Sequence, residues 1–280
     1  MNAVPPDVPL TAWSPPPETP VLEAGAVHVW RAPLLVAAST IHGLQQDLTA
    51  DETTRAERFR FRADRERFIV ARGVLRSILG RYLGVEPGLL RFRHGPYGKP
   101  LLAAGFGQEG LRFNLSHARG LALYAVAHDC EVGVDTEWIN PDFPGLEVAE
   151  HVFAPREVAA LRSLSADRRH ETFFTWWTLK EAYLKARGYG LALRPDQIDV
   201  SSAPAGSAAP WSALDASGAG TPWSLQSFAP ARGYVAALAV AGPVRRVDCW
   251  QWPRPEREGR GTRCPSPARE GGALTLKRVR

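Results

Sequence analysis

The clearest candidates for chemistry are two carboxylates in the segment GVDTE (133–137). On a strand, residues two apart point to the same face, so Asp135 and Glu137 present their carboxylates together. Hard oxygen ligands of this kind suit Mg²⁺, although a solvated sheet edge would give the same pattern without a function. The apolar run LALYAVAH lies just upstream, and a buried strand that ends in two acids favours a site.

A third carboxylate lies in FTWWTLKEAYLKA (174–186), which has the pattern of an amphipathic helix. Glu181 and Lys185 are four residues apart and therefore share one face of that helix. They form either a surface ion pair, worth about a few tenths of a kcal/mol, or part of a site. The surrounding aromatic residues are expected to belong to the core.

Two shorter segments place polar groups at chain reversals. FNLSHARG (113–120) puts Ser116 and His117 where a strand ends. Neighbouring side chains on a strand point in opposite directions, so anion binding suits this pair better than a catalytic triad, and a structural histidine is the alternative. PYGKP (96–100) predicts a turn that projects Lys99, but it lacks the GxxxxGK[ST] pattern of a P-loop.

An arginine-rich segment follows Thr49, which forms a predicted capping box with Glu52. Most of its arginines are expected to be solvated, and a nucleic-acid-binding stripe is the alternative. Arg67, beside the apolar residues of the second helix, is the one expected to face inward towards a phosphate. The cluster comprises Arg55, Arg58, Arg60, Arg62, Arg65, Arg67, Arg72 and Arg76.

Composition limits the class of protein. The chain has 280 residues, of which 45% are hydrophobic, and a net charge of +5. It can therefore bury one large domain or two of ordinary size, and an acidic or phosphate-bearing partner fits its charge. Three cysteines without CxxC spacing indicate neither a zinc site nor a disulfide framework. Without a signal pattern or a membrane-spanning run, we expect a cytoplasmic protein that does not enter the membrane.

Each half of the chain contains short strands and long helices, which predicts an α+β architecture. We expect a disordered proline-rich leader over residues 1–22 and an N-terminal half over 23–115. A C-terminal half with the metal site should cover 116–252, and a disordered basic tail should cover 253–280.

The order of GKP, FNLSH, GVDTE and WTLKEAYLKARGYGL resembles the 4′-phosphopantetheinyl transferases, specifically the larger, monomeric type that activates peptide synthetases and polyketide synthases. The likeness extends from about Val27 to Val240. It implies an α+β pseudo-dimer of two similar halves with the active site in the cleft between them. It also implies transfer of the phosphopantetheine arm of coenzyme A to a serine of an apo acyl, peptidyl or aryl carrier protein, with release of adenosine 3′,5′-bisphosphate.

The resemblance also implies roles for individual residues. Mg²⁺ would be held by Asp135, Glu137 and Glu181, and the catalytic residues would be Asp135, Glu181 and Lys185. Glu181 either takes the serine proton or only holds the metal, while Lys185 would stabilise the departing phosphate. The coenzyme A-binding positions would be Arg55, Arg67, Gly98, Lys99, Pro100, Asn114, Ser116, His117 and Lys185. Glu52 stands where some relatives have lysine, so the phosphate contact is weaker there or uses Arg58.

Two other functions use similar residues. A Mg²⁺-dependent nucleotide phosphohydrolase would need paired acids and basic groups, but not the serine–histidine pair and the GKP turn in this order. A non-enzymatic nucleic-acid-binding protein would use the arginines, but the acids at positions 135, 137 and 181 count against it. We therefore expect carrier proteins and coenzyme A as partners, no nucleic acid, and a monomer.

Overall fold

The computed structural model describes residues 13–106, 110–188, 194–201 and 222–252, together with the backbone of 211–213. The helices are α1 (Ala38–Gln46), α2 (Ala50–Glu57), α3 (Arg62–Leu83), α4 (Gly145–Val152), α5 (Pro155–Ser163) and α6 (Ala166–Arg187). The strands are β1 (Ala26–Pro33), β2 (Phe92–His94), β3 (Pro100–Leu102), β4 (Leu111–Ala118), β5 (Leu121–His128), β6 (Val132–Trp138), β7 (Trp211–Ala213), β8 (Trp223–Phe228), β9 (Tyr234–Ala241) and β10 (Arg246–Gln251).

The first half is a four-stranded sheet covered by the long helix α3. Its strand order is β10-β1-β5-β4, with β1 antiparallel to β5 and parallel to β10. The apolar stripe of α3, including Val74 and Ile78, packs with Trp30 and Tyr124 of the sheet. The Thr49 N–H donates to Glu52 Oε2 at 3.1 Å, which confirms the predicted capping box at the start of α2.

The second half repeats this arrangement with different residues. Its sheet has the order β6-β9-β8-β7, and α6 packs on it through Tyr183 and Leu184. Both α3 and α6 have 22 residues, and both end at a glycine in the left-handed conformation. A further apolar cluster, which includes Val29, Leu123 and Val134, joins strands of the two sheets. The predicted α+β fold of two similar halves is confirmed.

The predicted boundary between the halves falls inside β4, because that strand runs from Leu111 to Ala118. Both β4 and β5 belong to the first sheet, and β10 returns to it from the C-terminal end. Strand patterns alone do not say which sheet a strand joins, so they could not place this boundary. We propose the division after His128 instead.

The proline-rich leader is not disordered throughout. The Ser14 N–H donates to the carbonyl of Cys249 at 3.1 Å, and the Ser14 carbonyl accepts from the Gln251 N–H at 2.8 Å. The Arg31 guanidinium also stacks 4.6 Å from the centre of the Trp13 ring. Prolines cannot donate to a strand, but the residues before the PPP run can pair with the exposed edge of β10. Residues 1–12 and the predicted tail lie outside the described residues.

Candidate active site

A cleft with a volume of about 540 Å³ opens between the two halves. Many of the predicted site residues line it: Arg55, Gly98, Pro100, Ser116, His117, Asp135, Glu137, Glu181 and Lys185. Lys99 and Asn114 line an adjoining cavity of about 150 Å³, and Arg67 lines neither cavity. The motifs that are far apart in the sequence therefore meet at one place.

The centre of the cleft is a hydrogen-bonded group of three side chains. Lys185 Nζ lies 2.5 Å from Asp135 Oδ1 and 3.0 Å from Ser116 Oγ. The Ser116 hydroxyl donates to the same Asp135 oxygen at 2.8 Å. Strand β4 of the first half, strand β6 of the second half and helix α6 thus each contribute one member.

The charge of Lys185 is held by its neighbours. Burial alone would lower the pKa of its ammonium, but attraction to Asp135, Glu181 and Glu137 outweighs burial and raises that pKa above its ordinary value. The neighbouring carboxylates therefore favour the charged form of Lys185, which can stabilise negative charge in the cleft.

The acidic residues have the oxygen chemistry of a Mg²⁺ site, although they do not form a closed cage. Among the described residues, no three acidic, histidine or cysteine side chains are grouped as a metal cluster. Asp135 Oδ2, however, is buried and has no hydrogen-bond partner. A buried carboxylate oxygen without a partner is costly, and a hard cation would satisfy it. On this ground Asp135 fits a Mg²⁺ site, and the carboxylates of Glu137 and Glu181 line the same cleft.

Helix α6 is fixed by the residue next to Glu181. Lys180 points to the opposite side of the helix, where its ammonium donates to Glu157 Oε2 at 2.7 Å and to the carbonyls of Pro195 and Ile198. Glu157 is fully buried and also accepts from the Val200 N–H at 3.0 Å. Lys180 and Glu181 thus have different roles. Lys180 fixes α6 through its buried ion pair with Glu157, and Glu181 lines the cleft.

A glycine brings β6 and α6 close together. A side-chain carbon at Gly133 would lie 2.1 Å from the Ala182 carbonyl oxygen and 2.5 Å from the Ala186 nitrogen. No residue larger than glycine fits at those distances. Glycine at this position lets β6 and α6 approach closely. Asp135, two residues further along β6, can then contact the Lys185 side chain.

Arginines from the first half form the basic end of the cleft. Arg55 lines it and lies 5.5 Å from the centre of the Phe68 ring. Arg72 lines it as well, and one terminal nitrogen of Arg72 is buried without a hydrogen-bond partner. Arg67, which the sequence favoured as the inward arginine, lies outside this lining; it pairs with Asp64 at 3.0 Å, and its Nε is buried without a hydrogen-bond partner. Sequence reasoning named Arg72 only as a member of the cluster, because periodicity does not identify the side of α3 that faces the second half.

Glu52 has a structural role that explains why it is not lysine. It is buried and pairs with Arg76 at 2.7 Å and with Arg72 at 3.3 Å. Arg62 likewise pairs with Glu66 at 2.7 Å. Several arginines of the cluster thus have carboxylate partners within the chain.

Lys99 and Asn114 use their polar groups on protein partners. The Lys99 ammonium donates to Glu131 Oε2 at 2.7 Å and to the Ala186 carbonyl at 2.8 Å. Asn114 Oδ1 accepts from the Val134 N–H at 2.9 Å, which links β4 to β6.

Aromatic residues cover the other end of the cleft. Trp176 is buried in the core, as expected, but Trp177 lines the cleft. The Arg119 guanidinium stacks 3.4 Å from the centre of the Trp138 ring, and both residues line the cleft. The remaining aromatic residues of this wall are Phe143, Phe173 and Phe174. The sequence prediction that the aromatics serve only as core was therefore incomplete.

Both halves match known families. Residues 131–239 match the 4′-phosphopantetheinyl transferase superfamily, and residues 37–129 match the N-terminal family of 4′-phosphopantetheinyl transferases. The division between these matches agrees with the assignment of β4 and β5 to the first sheet.

Similar proteins of known name point the same way. The chain is 43% identical to the 4′-phosphopantetheinyl transferase HetI of Nostoc sp. over 240 residues, which is 86% of this chain and 98% of HetI. It is 26% identical to 4′-phosphopantetheinyl transferase Sfp of Bacillus subtilis over 153 residues, or 55% of this chain and 66% of Sfp. It is 29% identical to the L-aminoadipate-semialdehyde dehydrogenase-phosphopantetheinyl transferase of Xenopus laevis over 164 residues, or 55% of this chain and 54% of that protein.

The chain belongs to the 4′-phosphopantetheinyl transferase family. These enzymes transfer phosphopantetheine from coenzyme A to carrier proteins. Within the described ranges, no helix combines the length and apolarity needed to cross a bilayer.

Proposed function

We propose that this chain binds coenzyme A in the cleft between its halves and transfers the phosphopantetheine arm to a serine of an apo carrier protein. The observation that carries the proposal is the group of Lys185, Asp135 and Ser116, which joins both halves in one hydrogen-bonded site. A cation beside buried acids is the arrangement that phosphoryl transfer uses. Adenosine 3′,5′-bisphosphate is the second product.

Phosphate recognition follows from the charges at the two sides of the cleft. Arg55 and Arg72 supply positive charge from the first half, and Ser116 and His117 line the wall beside them. We propose that these residues hold the phosphates of coenzyme A, with Arg72 in the role that the sequence gave to Arg67. Gly98 and Pro100 form the adjoining wall.

The metal requirement follows from the charge balance. Asp135, Glu137 and Glu181 together carry three negative charges, and Lys185 compensates one of them. A pyrophosphate group would meet local negative charge beside these carboxylates, although Arg55 and Arg72 supply positive charge elsewhere in the cleft, and a divalent cation would offset that local charge. We propose Mg²⁺, held by the three carboxylates, and its chemistry is to screen and polarise the phosphate oxygens.

The proton and the leaving group are handled by α6. The serine oxygen forms a bond to the phosphorus that bears the pantetheine arm, and the bond from that phosphorus to the adenosine bisphosphate oxygen breaks. The nearby carboxylates favour the ammonium form of Lys185, so we propose Glu181 rather than Lys185 as the group that takes the serine proton. Lys185 stabilises the negative charge that develops on the departing phosphate.

The setting of the enzyme can be proposed from its substrates. We propose a monomer in the cytoplasm, where coenzyme A is available and the described cysteines remain free thiols. We propose that its carrier proteins belong to peptide synthetases and polyketide synthases.

A matched pair of variants tests the catalytic role. Glu181→Gln removes the proposed base, and kcat for transfer to an apo carrier protein should fall about a hundredfold or more. Glu171→Gln makes the same change on an exposed part of α6 and should leave kcat within about twofold. Equal activity of both variants would remove Glu181 from the reaction, and release of adenosine 3′,5′-bisphosphate without a carrier protein would indicate a phosphohydrolase.

A further inference from the structure

The ammonium of Lys99 has no donor left for a ligand. It has three N–H groups, and three protein oxygens accept from it: Glu131 Oε2 at 2.7 Å, the Ala186 carbonyl at 2.8 Å and the Val132 carbonyl at 3.3 Å. The side chain is only 9% exposed. A direct contact between this ammonium and coenzyme A would require one of these bonds to break.

All three acceptors belong to the other half of the molecule. Lys99 lies in the hairpin of β2 and β3 in the first half, next to Gly98 in a left-handed turn. Val132 begins β6, with Glu131 just before it, and Ala186 is in the last turn of α6. The last carbonyls of a helix have no intrahelical partner, and a cation there also suits the helix dipole.

A cavity of about 150 Å³ lies between the hairpin and α6, with Tyr97, Gly98 and Pro100 on one side and Leu184 and Lys185 on the other. Atoms that line a cavity lack close partners on that side. The hydrogen bonds of Lys99 link the two elements beside this cavity.

We propose that Lys99 is a positioning residue that joins the hairpin wall of the cleft to the end of α6 and so sets the cleft to the width that coenzyme A requires. This proposal deepens the proposed function and rests on it. Coenzyme A touches both halves once it is bound, and it then replaces part of the attachment that Lys99 provides. Loss of Lys99 should therefore weaken binding more than it slows the bound complex.

The primary test is Lys99→Met. Its KM for coenzyme A, and its dissociation constant from calorimetry, should rise about tenfold or more, while kcat stays within about twofold. A merely structural role would lower the fraction of folded enzyme and hence the apparent kcat, with KM unchanged.

Arg112→Met is the matched control. Arg112 pairs with the same carboxylate, Glu131, at 3.2 Å, but its side chain is 36% exposed, whereas that of Lys99 is only 9% exposed. The Arg112→Met variant loses the same charge as Lys99→Met, and its KM for coenzyme A should stay within about twofold of wild type. If Lys99→Met does not fold, Glu131→Gln decides, because it keeps an oxygen acceptor and should raise KM about threefold.

The outcomes separate the two proposals. Wild-type protein that neither binds coenzyme A nor modifies a carrier protein overturns the proposed function. If the wild-type protein is active, two results would overturn only the positioning role. One is an unchanged KM for coenzyme A in folded Lys99→Met, and the other is an equal rise of KM in Lys99→Met and Arg112→Met. If Lys99→Met does not fold, an unchanged KM for coenzyme A in Glu131→Gln would likewise overturn the positioning role of Lys99.

Discussion

Gly133→Ala tests whether the close approach of β6 and α6 matters for activity. The added carbon would lie 2.1 Å from the Ala182 carbonyl oxygen, whereas ordinary contacts begin at 3.4 Å. To restore an ordinary contact distance, α6 would have to move away from β6 by about 1.3 Å. Ala182 directly follows Glu181 in α6, so the proposed base would move with the helix.

Two effects of Gly133→Ala should be measurable. Overpacking should lower the free energy of unfolding by about 1–3 kcal/mol, since the clash is with backbone atoms. A misplacement near 1 Å should lower kcat for carrier-protein modification by about a hundredfold. Thermal unfolding and initial rates with coenzyme A and an apo carrier protein measure the two effects.

Gly43→Ala is the matched control for this variant. Gly43 is in α1, and a side-chain carbon there would meet nothing within 4 Å. Alanine should therefore stabilise the helix by up to about 1 kcal/mol and leave the rate unchanged. The reasoning is refuted if Gly133→Ala keeps the wild-type melting temperature and a rate within twofold of wild type.

Two further predictions concern the first half. Arg72→Met should raise KM for coenzyme A about tenfold, whereas Arg67→Met should leave it within about twofold, because only Arg72 lines the cleft; the reverse order in steady-state kinetics would restore Arg67 as the phosphate ligand. His28 is buried beside Asp248, and burial lowers the pKa of its imidazole while Asp248 opposes that change. Because this folded-state pKa lies below the unfolded value of about 6.5, the contribution of His28 to stability is complete above pH 6.5 and is lost as the pH falls through the lower folded-state pKa. Urea titrations from pH 7.5 to 5 should show a steeper loss for wild type than for His28→Gln, and parallel curves would exclude His28 as the cause.

Strand and helix periodicity were sufficient to predict which acids could share a face. Asp135 and Glu137 do line one cleft, because alternation along a strand is a local property of the backbone. Glu181 and Lys185 line it too, for the corresponding reason in a helix. The boundaries of these elements follow from equally local signals, such as the glycine at the end of α6.

The tertiary relations could not be read from the same patterns. Arg67 and Arg72 lie on the same arginine-rich helix, and which of them lines the cleft depends on how α3 is rotated against the second half. The protein partners of Lys99 could not be predicted, because they include Ala186, which is far away in the sequence. The membership of the β4–β5 hairpin in the first sheet likewise depends on the long-range pairing of β5 with β1.

The central claim is that this chain modifies a carrier protein with the arm of coenzyme A. The most direct measurement is the intact mass of an apo carrier protein after incubation with the enzyme, coenzyme A and Mg²⁺, beside the same carrier with its acceptor serine replaced by alanine. We predict the added mass of one phosphopantetheine group on the serine carrier alone, with one equivalent of adenosine 3′,5′-bisphosphate released. An unchanged mass across acyl, peptidyl and aryl carriers, from folded enzyme that binds coenzyme A, would contradict the account.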